Sequence, residues 1–141
     1  MATYNKIQAF VENLAEKVHD LGADTLKVAL TNSAPLATNT VLTDITQIAN
    51  GNGYTTGGST TTQSSSAQSS GTYKLVLGDV VFTASGGSVG PFQYAVLYND
   101  TPTSPADPLI AWWDYGSAVT LADGETFTFD ASAVDGVIQL T

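Results

Sequence analysis

The sequence predicts a mainly β protein, an antiparallel β-sandwich of jelly-roll type with one amphipathic α-helix at its N-terminus. Apolar residues recur at spacings of three and four over the first 22 residues, and afterwards alternate with polar residues in short runs. Gly, Pro, Asn and Asp separate those runs every ~8–12 residues, as in sandwiches and small barrels. With 141 residues and no internal linker or repeat, we expect one domain, with its helix at 1–22 and its β part at 23–141.

The N-terminal helix is predicted from a single apolar stripe, with Thr3 as its N-cap and Gly22 ending it. The stripe consists of Ile7, Phe10, Val11, Leu14, Val18 and Leu21. A helix of this length is marginal alone, so the stripe must dock on another surface. That surface is either the protein's own sheet or a neighbouring subunit, and Phe10 and Leu14 are therefore candidate interface residues.

The β part is predicted from alternating runs that are bounded by turn residues. The predicted strands cover residues 26–30, 73–77, 80–83, 92–98, 109–115, 119–121, 126–129 and 137–140, and residues 133–136 form a predicted turn. Residues 41–49 fit either a short strand or a single helical turn.

A hydroxyl-rich segment at residues 57–71 contains almost nothing but Gly, Ser, Thr and Gln. Such a composition cannot bury apolar surface. It indicates a flexible loop, or else a solvent-side strand of an exposed hairpin, and in an assembly it could become ordered against a neighbour.

Charge excludes several classes of partner. The chain has 13 acids, four lysines and no arginine, which gives a formal net charge of −9. No basic side chain follows Lys74. Phosphate backbones and anionic membranes attract Lys and Arg, so we expect neither nucleic-acid nor membrane binding. The start of the chain has no signal-peptide pattern, and no apolar run approaches the ~20 residues of a membrane span, which indicates synthesis in a cytoplasm.

Catalytic chemistry has few residues to use. The chain has no cysteine, and its one histidine, His19, cannot form a triad or an ordinary zinc site and is expected at the surface. Most acids lie in turns, where aspartate bonds to local backbone, and Asp114 is the best remaining candidate for a catalytic acid. The Gly-rich stretches lack the lysine of a phosphate loop. We expect no enzyme, no cofactor and no metal, although loop oxygens leave open a calcium site assembled by the fold.

Aromatic residues are the best candidates for binding. Consecutive residues of a strand point to opposite faces, so at most one of Trp112 and Trp113 belongs to the core. The outward one could anchor a protein interface or stack on a carbohydrate. The full set of candidate interface residues is Phe10, Leu14, Tyr54, Tyr98, Trp112, Trp113 and Tyr115.

Six segments of this chain resemble small virion proteins of tailed bacteriophages, in particular capsid decoration (cement) proteins. They are KVALTN at 27–32, NGNGY at 50–54, VFTASGG at 81–87, FQYAVLYN at 92–99, PLIAWWDYG at 108–116 and TLADGETF at 120–127. These segments shape the fold and carry no active-site residue.

The resemblance implies a non-enzymatic β-rich protein on the outside of the virion capsid, made in the host cytoplasm before assembly. Its implied partners are the major capsid protein, which it bridges to stabilise the head, and further copies of itself in a dimer or trimer. The alternative is a tail, baseplate or fibre-associated virion protein that binds glycans.

Overall fold

Ten β-strands, one α-helix and one 3₁₀ turn make up the regular structure of residues 2–131 and 134–141, the part of the chain that the computed structural model describes. The strands are β1 (Thr3–Lys6), β2 (Leu26–Thr31), β3 (Ser59–Thr60), β4 (Gln63–Ser69), β5 (Thr72–Leu77), β6 (Val80–Thr83), β7 (Val89–Asn99), β8 (Leu109–Leu121), β9 (Thr126–Phe129) and β10 (Ile138–Leu140). The helix α1 spans Ala9–Ala15, and the 3₁₀ turn spans Leu42–Asp44. The predicted antiparallel, mainly β fold with one helix is confirmed.

The largest sheet has five strands in the order β1-β8-β7-β2-β3. Its centre is the antiparallel pair of the two longest strands, β7 and β8, in which Ala95 lies opposite Trp113 and Val96 opposite Trp112. The strands predicted at 109–115 and 119–121 are one strand in the described fold, because β8 continues through Gly116, at a φ of 83°, to Leu121. This long strand carries Trp113 and Tyr115, two of the three aromatic residues of the surface described below.

Two smaller antiparallel sheets complete the fold, one with the order β10-β5-β4 and one formed by β6 and β9. Apolar side chains from all three sheets meet in one buried cluster that includes Val28, Leu30, Leu75, Leu77, Phe82, Ala95, Leu97 and Phe129. Of the turn predicted at residues 133–136, Ala133 lies outside the described residues, while Val134 and Asp135 lie in a turn.

The prediction of one helix over residues 1–22 is wrong, because the chain forms a strand and then a two-turn helix. Residues Thr3–Lys6 pair with β8, where Tyr4 lies opposite Trp113. The helix starts after Gln8, so Thr3 is not its N-cap. At the other end Lys17 has a φ of 69°, its N–H donates to the Leu14 carbonyl, and the Val18 N–H donates to the Asn13 carbonyl at 2.8 Å. These two bonds are the Schellman ending, formed here with a lysine where glycine is usual.

The hydroxyl-rich segment is not a flexible loop, but the exposed hairpin that was the alternative interpretation. Residues 59–60 form β3, and β4 pairs along its length with β5 through a two-residue turn at Ser70 and Gly71. Almost every side chain of β4 is exposed. The strand therefore forms through backbone pairing with β5, whose Leu75 and Leu77 are buried, and not through burial of its own side chains.

The segment at 41–49 combines both predicted possibilities. Leu42–Asp44 forms the 3₁₀ turn, and the flanking residues Val41 and Gln47 form isolated β-bridges to Pro108 and Thr31. The Asp44 carboxylate accepts bonds from the backbone N–H groups of Thr40 and Val41, at 2.9 and 3.3 Å. These bonds hold the pKa of Asp44 below its usual value.

Candidate interaction surfaces

Three partly exposed aromatic side chains on β1 and β8 lie side by side at the surface. Trp113 packs edge-on between Tyr4, at 5.4 Å between ring centroids, and Phe129 of β9, at 4.9 Å. Tyr4 retains 44% of its surface. Because the register of β1 on β8 places Tyr4 opposite Trp113, the two rings are held by backbone pairing as well as by contact.

Tyr115 extends these aromatics along β8. Its ring meets Phe127 edge-on at 5.0 Å, and Phe127 in turn packs on buried Phe92 at 4.9 Å. Burial raises the pKa of Tyr115 to about 12, with a further contribution from the Asp130 carboxylate. We call Tyr4, Trp113 and Tyr115 the aromatic row; its rings offer apolar area whose side-chain freedom is already restricted.

Four of the seven residues predicted for an interface lie in the core. Phe10 and Tyr54 are 2% exposed, Tyr98 is 1% exposed and Trp112 is 9% exposed. Leu14 is half-buried beside the core, as are Trp113 and Tyr115. As expected, one of the two consecutive tryptophans is buried and the other reaches the surface.

The buried tyrosines Tyr54 and Tyr98 fasten the Gly-rich loop of residues 50–58 to the sheet. The Tyr54 hydroxyl accepts a bond from the Leu30 N–H at 3.1 Å and donates to the Gln47 Oε1 at 2.7 Å. The Tyr98 hydroxyl donates to the Gly57 carbonyl at 2.5 Å. Both hydroxyls therefore satisfy backbone or amide groups, of which the Leu30 N–H is buried, and burial raises the pKa of both tyrosines.

The expectation that His19 lies at the surface is wrong, because it is only 5% exposed. The Asn99 Nδ2 lies 3.1 Å from the His19 Nδ1 and 2.6 Å from an oxygen of Asp24, while the Asn99 Oδ1 accepts from the Thr101 N–H. That orientation makes Nδ1 the acceptor and places the proton of the neutral ring on Nε2. Burial lowers the pKa of His19, and the Asp24 carboxylate opposes this in part.

A groove of about 530 Å³ lies between the chain that follows α1 and the sheet of β4, β5 and β10. Its apolar lining comes from Leu14, Val18, Leu21, Tyr73 and Leu140. The Gln63 Nε2 of β4 donates to the carbonyls of Leu21 and Asp24, at 2.6 and 2.9 Å, and so ties the two walls together.

Asp114, the best candidate for a catalytic acid, is tied into local structure. Its Oδ1 accepts bonds from the Gln93 Nε2 at 2.9 Å and from the Gly116 N–H at 2.7 Å. Both bonds stabilise the ionised form, so the pKa of Asp114 lies below its usual value. A carboxylate with a lowered pKa is a poor general acid near neutral pH. Within residues 2–131 and 134–141, no three His, Cys, Asp or Glu side chains are placed to share a metal ion.

Comparison of the chain with protein-family models, with curated proteins and with solved structures gives no match. In the described part of the chain no helix has the length and apolar character needed to cross a bilayer.

Proposed function

We propose that this chain is a capsid decoration protein of a tailed bacteriophage, a non-enzymatic structural protein of the virion that bridges major capsid proteins on the capsid exterior. The observation that carries the proposal is the aromatic row of Tyr4, Trp113 and Tyr115. Partly exposed, pre-ordered aromatic rings are the side chains that most often anchor protein interfaces. The resemblance of six segments to decoration proteins supplies the class of partner.

The construction of the row suits a protein that attaches to a fixed surface. Trp113 and Tyr115 lie on the longest strand, and ring contacts to Phe129 and Phe127 support them from behind. Little side-chain freedom remains to be lost on binding, so the entropic cost of ordering these side chains is small. On a capsid lattice, many such contacts made by linked copies gain strength through avidity.

The proposed architecture behind this surface is the β-sandwich. In its support, rings cross from the five-stranded sheet to the two-stranded sheet, where Trp113 contacts Phe129 and Phe92 contacts Phe127. Two sheets that pack face to face exchange such contacts through a shared core.

Capsid binding tests the proposal directly. Purified protein is added to expanded capsids that lack it, and co-sedimentation and the temperature of capsid disruption are measured. We expect the wild-type protein to bind the capsids saturably and to raise the temperature at which they are disrupted. A protein that neither sediments with the capsids nor protects them from heat or dilution contradicts the proposal.

A pair of variants links binding to the aromatic row. Tyr4→Ala removes an exposed ring of the row, and Val81→Ala removes an exposed apolar side chain, 54% exposed, from β6. We expect Tyr4→Ala to weaken capsid binding by at least about tenfold, since the anchor residues of an interface contribute about 2 kcal/mol or more each. Val81→Ala should bind as the wild type does. Equal effects of the two changes would assign binding to another surface.

A second candidate function rests on the same half-exposed tryptophan. Trp113 could stack on a sugar ring, which would make the chain a tail, baseplate or fibre component that binds host glycans. Titration with glycans while tryptophan fluorescence is followed should then change the spectrum at saturation. The capsid proposal expects no change in that titration.

A further inference from the structure

Strand β4 presents an open backbone edge. In the sheet β10-β5-β4 it has a neighbour on one side only. Within residues 2–131 and 134–141, the backbone pairing of residues 65–69 is with β5 alone. An exposed strand edge of this kind offers a row of N–H and C=O groups to another strand.

The hairpin turn shows which residues of β4 direct their backbone N–H and C=O groups away from β5, toward the open edge. Ser70 and Gly71 both have positive φ, 50° and 85°, which is the type I′ pattern of a two-residue hairpin loop. In such a hairpin the closing pair Ser69–Thr72 exchanges both hydrogen bonds, and bonded pairs then alternate with non-bonded pairs. Ala67 is thus bonded to β5, whereas the backbone groups of Ser66 and Gln68 point outward.

Charge distinguishes this edge from the others. The chain carries a net charge of −9, yet residues 45–73 contain no charged side chain. The other strand edges are short or lie beside charges: Lys6 ends β1, Asp79 precedes β6, and Asp130 follows β9. Antiparallel pairing of β4 with β4 of a second copy therefore places no like charges directly opposite each other.

We propose that β4 pairs antiparallel with β4 of a second copy of this chain, with Ala67 on the two-fold axis. In this register Ser66 of one copy lies opposite Gln68 of the other, so all outward groups of these residues find partners. The symmetry makes the two halves of the contact identical, as in most homodimers. Two three-stranded sheets become one continuous sheet.

The second copy is one partner of this chain in the proposed assembly. The role of the dimer on a capsid rests on the proposed function. The pairing itself is a property of the isolated chain. A short strand edge buries little surface, so the dimer should dissociate on dilution. In a virion, two linked copies would hold neighbouring capsid sites together.

The first test removes one outward N–H group. Ser66→Pro deletes the N–H of Ser66, while Ser66→Ala keeps it and loses the same hydroxyl, which lies 2.8 Å from the Tyr73 hydroxyl. Sedimentation equilibrium is measured up to about 1 mM protein, the range in which weak complexes form. We expect dimers for wild type and Ser66→Ala, and at least about tenfold weaker association for Ser66→Pro. A monomeric wild type, or unchanged association of Ser66→Pro, overturns the pairing.

The second test reads the register and does not depend on the proline variant. The chain has no cysteine, so Ala67→Cys introduces a single thiol. Across a non-bonded antiparallel pair the two Cα atoms lie ~4.5 Å apart, within the range of a disulfide. Ser65→Cys is the control, because its two copies lie several residues apart in this register. We expect disulfide-linked dimers for Ala67→Cys only, and equal cross-linking of both variants contradicts the register.

The two proposals can fail separately. A wild type that dimerises but does not bind capsids refutes the decoration role and supports the pairing. If the wild type stays monomeric and the Ser66→Pro variant loses capsid binding, the pairing with a second copy is refuted. Strand β4 is then a binding site for a strand of the capsid protein.

Discussion

Replacing Tyr54 by phenylalanine removes a single hydroxyl from the core and tests how the loop of residues 50–58 is held. The Leu30 N–H, on a residue with no exposed surface, donates to this hydroxyl at 3.1 Å. A phenyl ring leaves that donor buried without a partner, at a cost of about 1–3 kcal/mol. The Gln47 Oε1 loses one donor but keeps the Gly57 N–H at 2.8 Å, so this side adds little.

We expect Tyr54→Phe to lower the free energy of unfolding by about 2 kcal/mol, which for this chain length corresponds to roughly 6 °C in Tm. Urea unfolding followed by tryptophan fluorescence measures the change, with the slope m showing whether the unfolded state is altered. Tyr73→Phe is the matched control. Among the described residues the Tyr73 hydroxyl bonds only to the exposed Ser66 hydroxyl, so its loss should cost less than about 0.5 kcal/mol. Equal losses in the two variants, or a Tyr54→Phe protein as stable as wild type, would refute the assigned bonds.

Two further changes probe other parts of the fold. Because burial lowers the pKa of His19, the unfolded chain binds its proton at a higher pH than the folded chain does. The stability that His19 contributes is complete above about pH 6.5 and is lost as the pH falls through the lowered folded-state pKa. Urea unfolding at a series of pH values should show this decrease in the free energy of unfolding, and His19→Gln should make the decrease smaller. Gly58→Ala should cost more than about 3 kcal/mol, since Gly58 has a φ of 76° and a Cβ there would collide with the Val28 carbonyl. Gly71→Ala, at a φ of 85° with open space around it, should cost only about 1–2 kcal/mol, and thermal unfolding of both variants decides the comparison.

Alternation of apolar and polar residues located most strands of the core. Strands β2, β5, β6 and β9 bury alternate or continuous apolar residues, and their positions were predictable for that reason. Strand β4 buries almost nothing, and its pairing depends on the turn at Ser70 and Gly71, so its side chains gave only an ambiguous signal.

The N-terminal segment shows what the local spacing of apolar residues cannot predict. The spacing of Ile7, Phe10 and Leu14 indicated one long helix, but pairing of Tyr4 with Trp113 depends on a residue far along the chain. The helix also ends at Lys17, whose positive φ no composition rule would favour.

The candidate site was predictable only in part. Trp113 and Tyr115 were identified from their strand, whereas Tyr4 was assigned to a helix and missed. Tyr54 and Tyr98 carry the same side chain as Tyr115, and only their buried hydrogen bonds distinguish them from surface anchors. Likewise, His19 and Asn99 are far apart in the sequence, and only the folded structure brings their side chains into contact.

The loop of residues 50–58 has a consequence for engineering. Its glycines allow close approach to the sheet, and its polar groups are bonded to Tyr98, Gln47 and Asn50. The segment is therefore a rigid part of the scaffold despite a composition that resembles a linker. Amide hydrogens of Gly57 and Gly58 should exchange slowly with solvent, and a peptide inserted there for display would separate core partners. An epitope or fluorescent label belongs on another, solvent-facing turn.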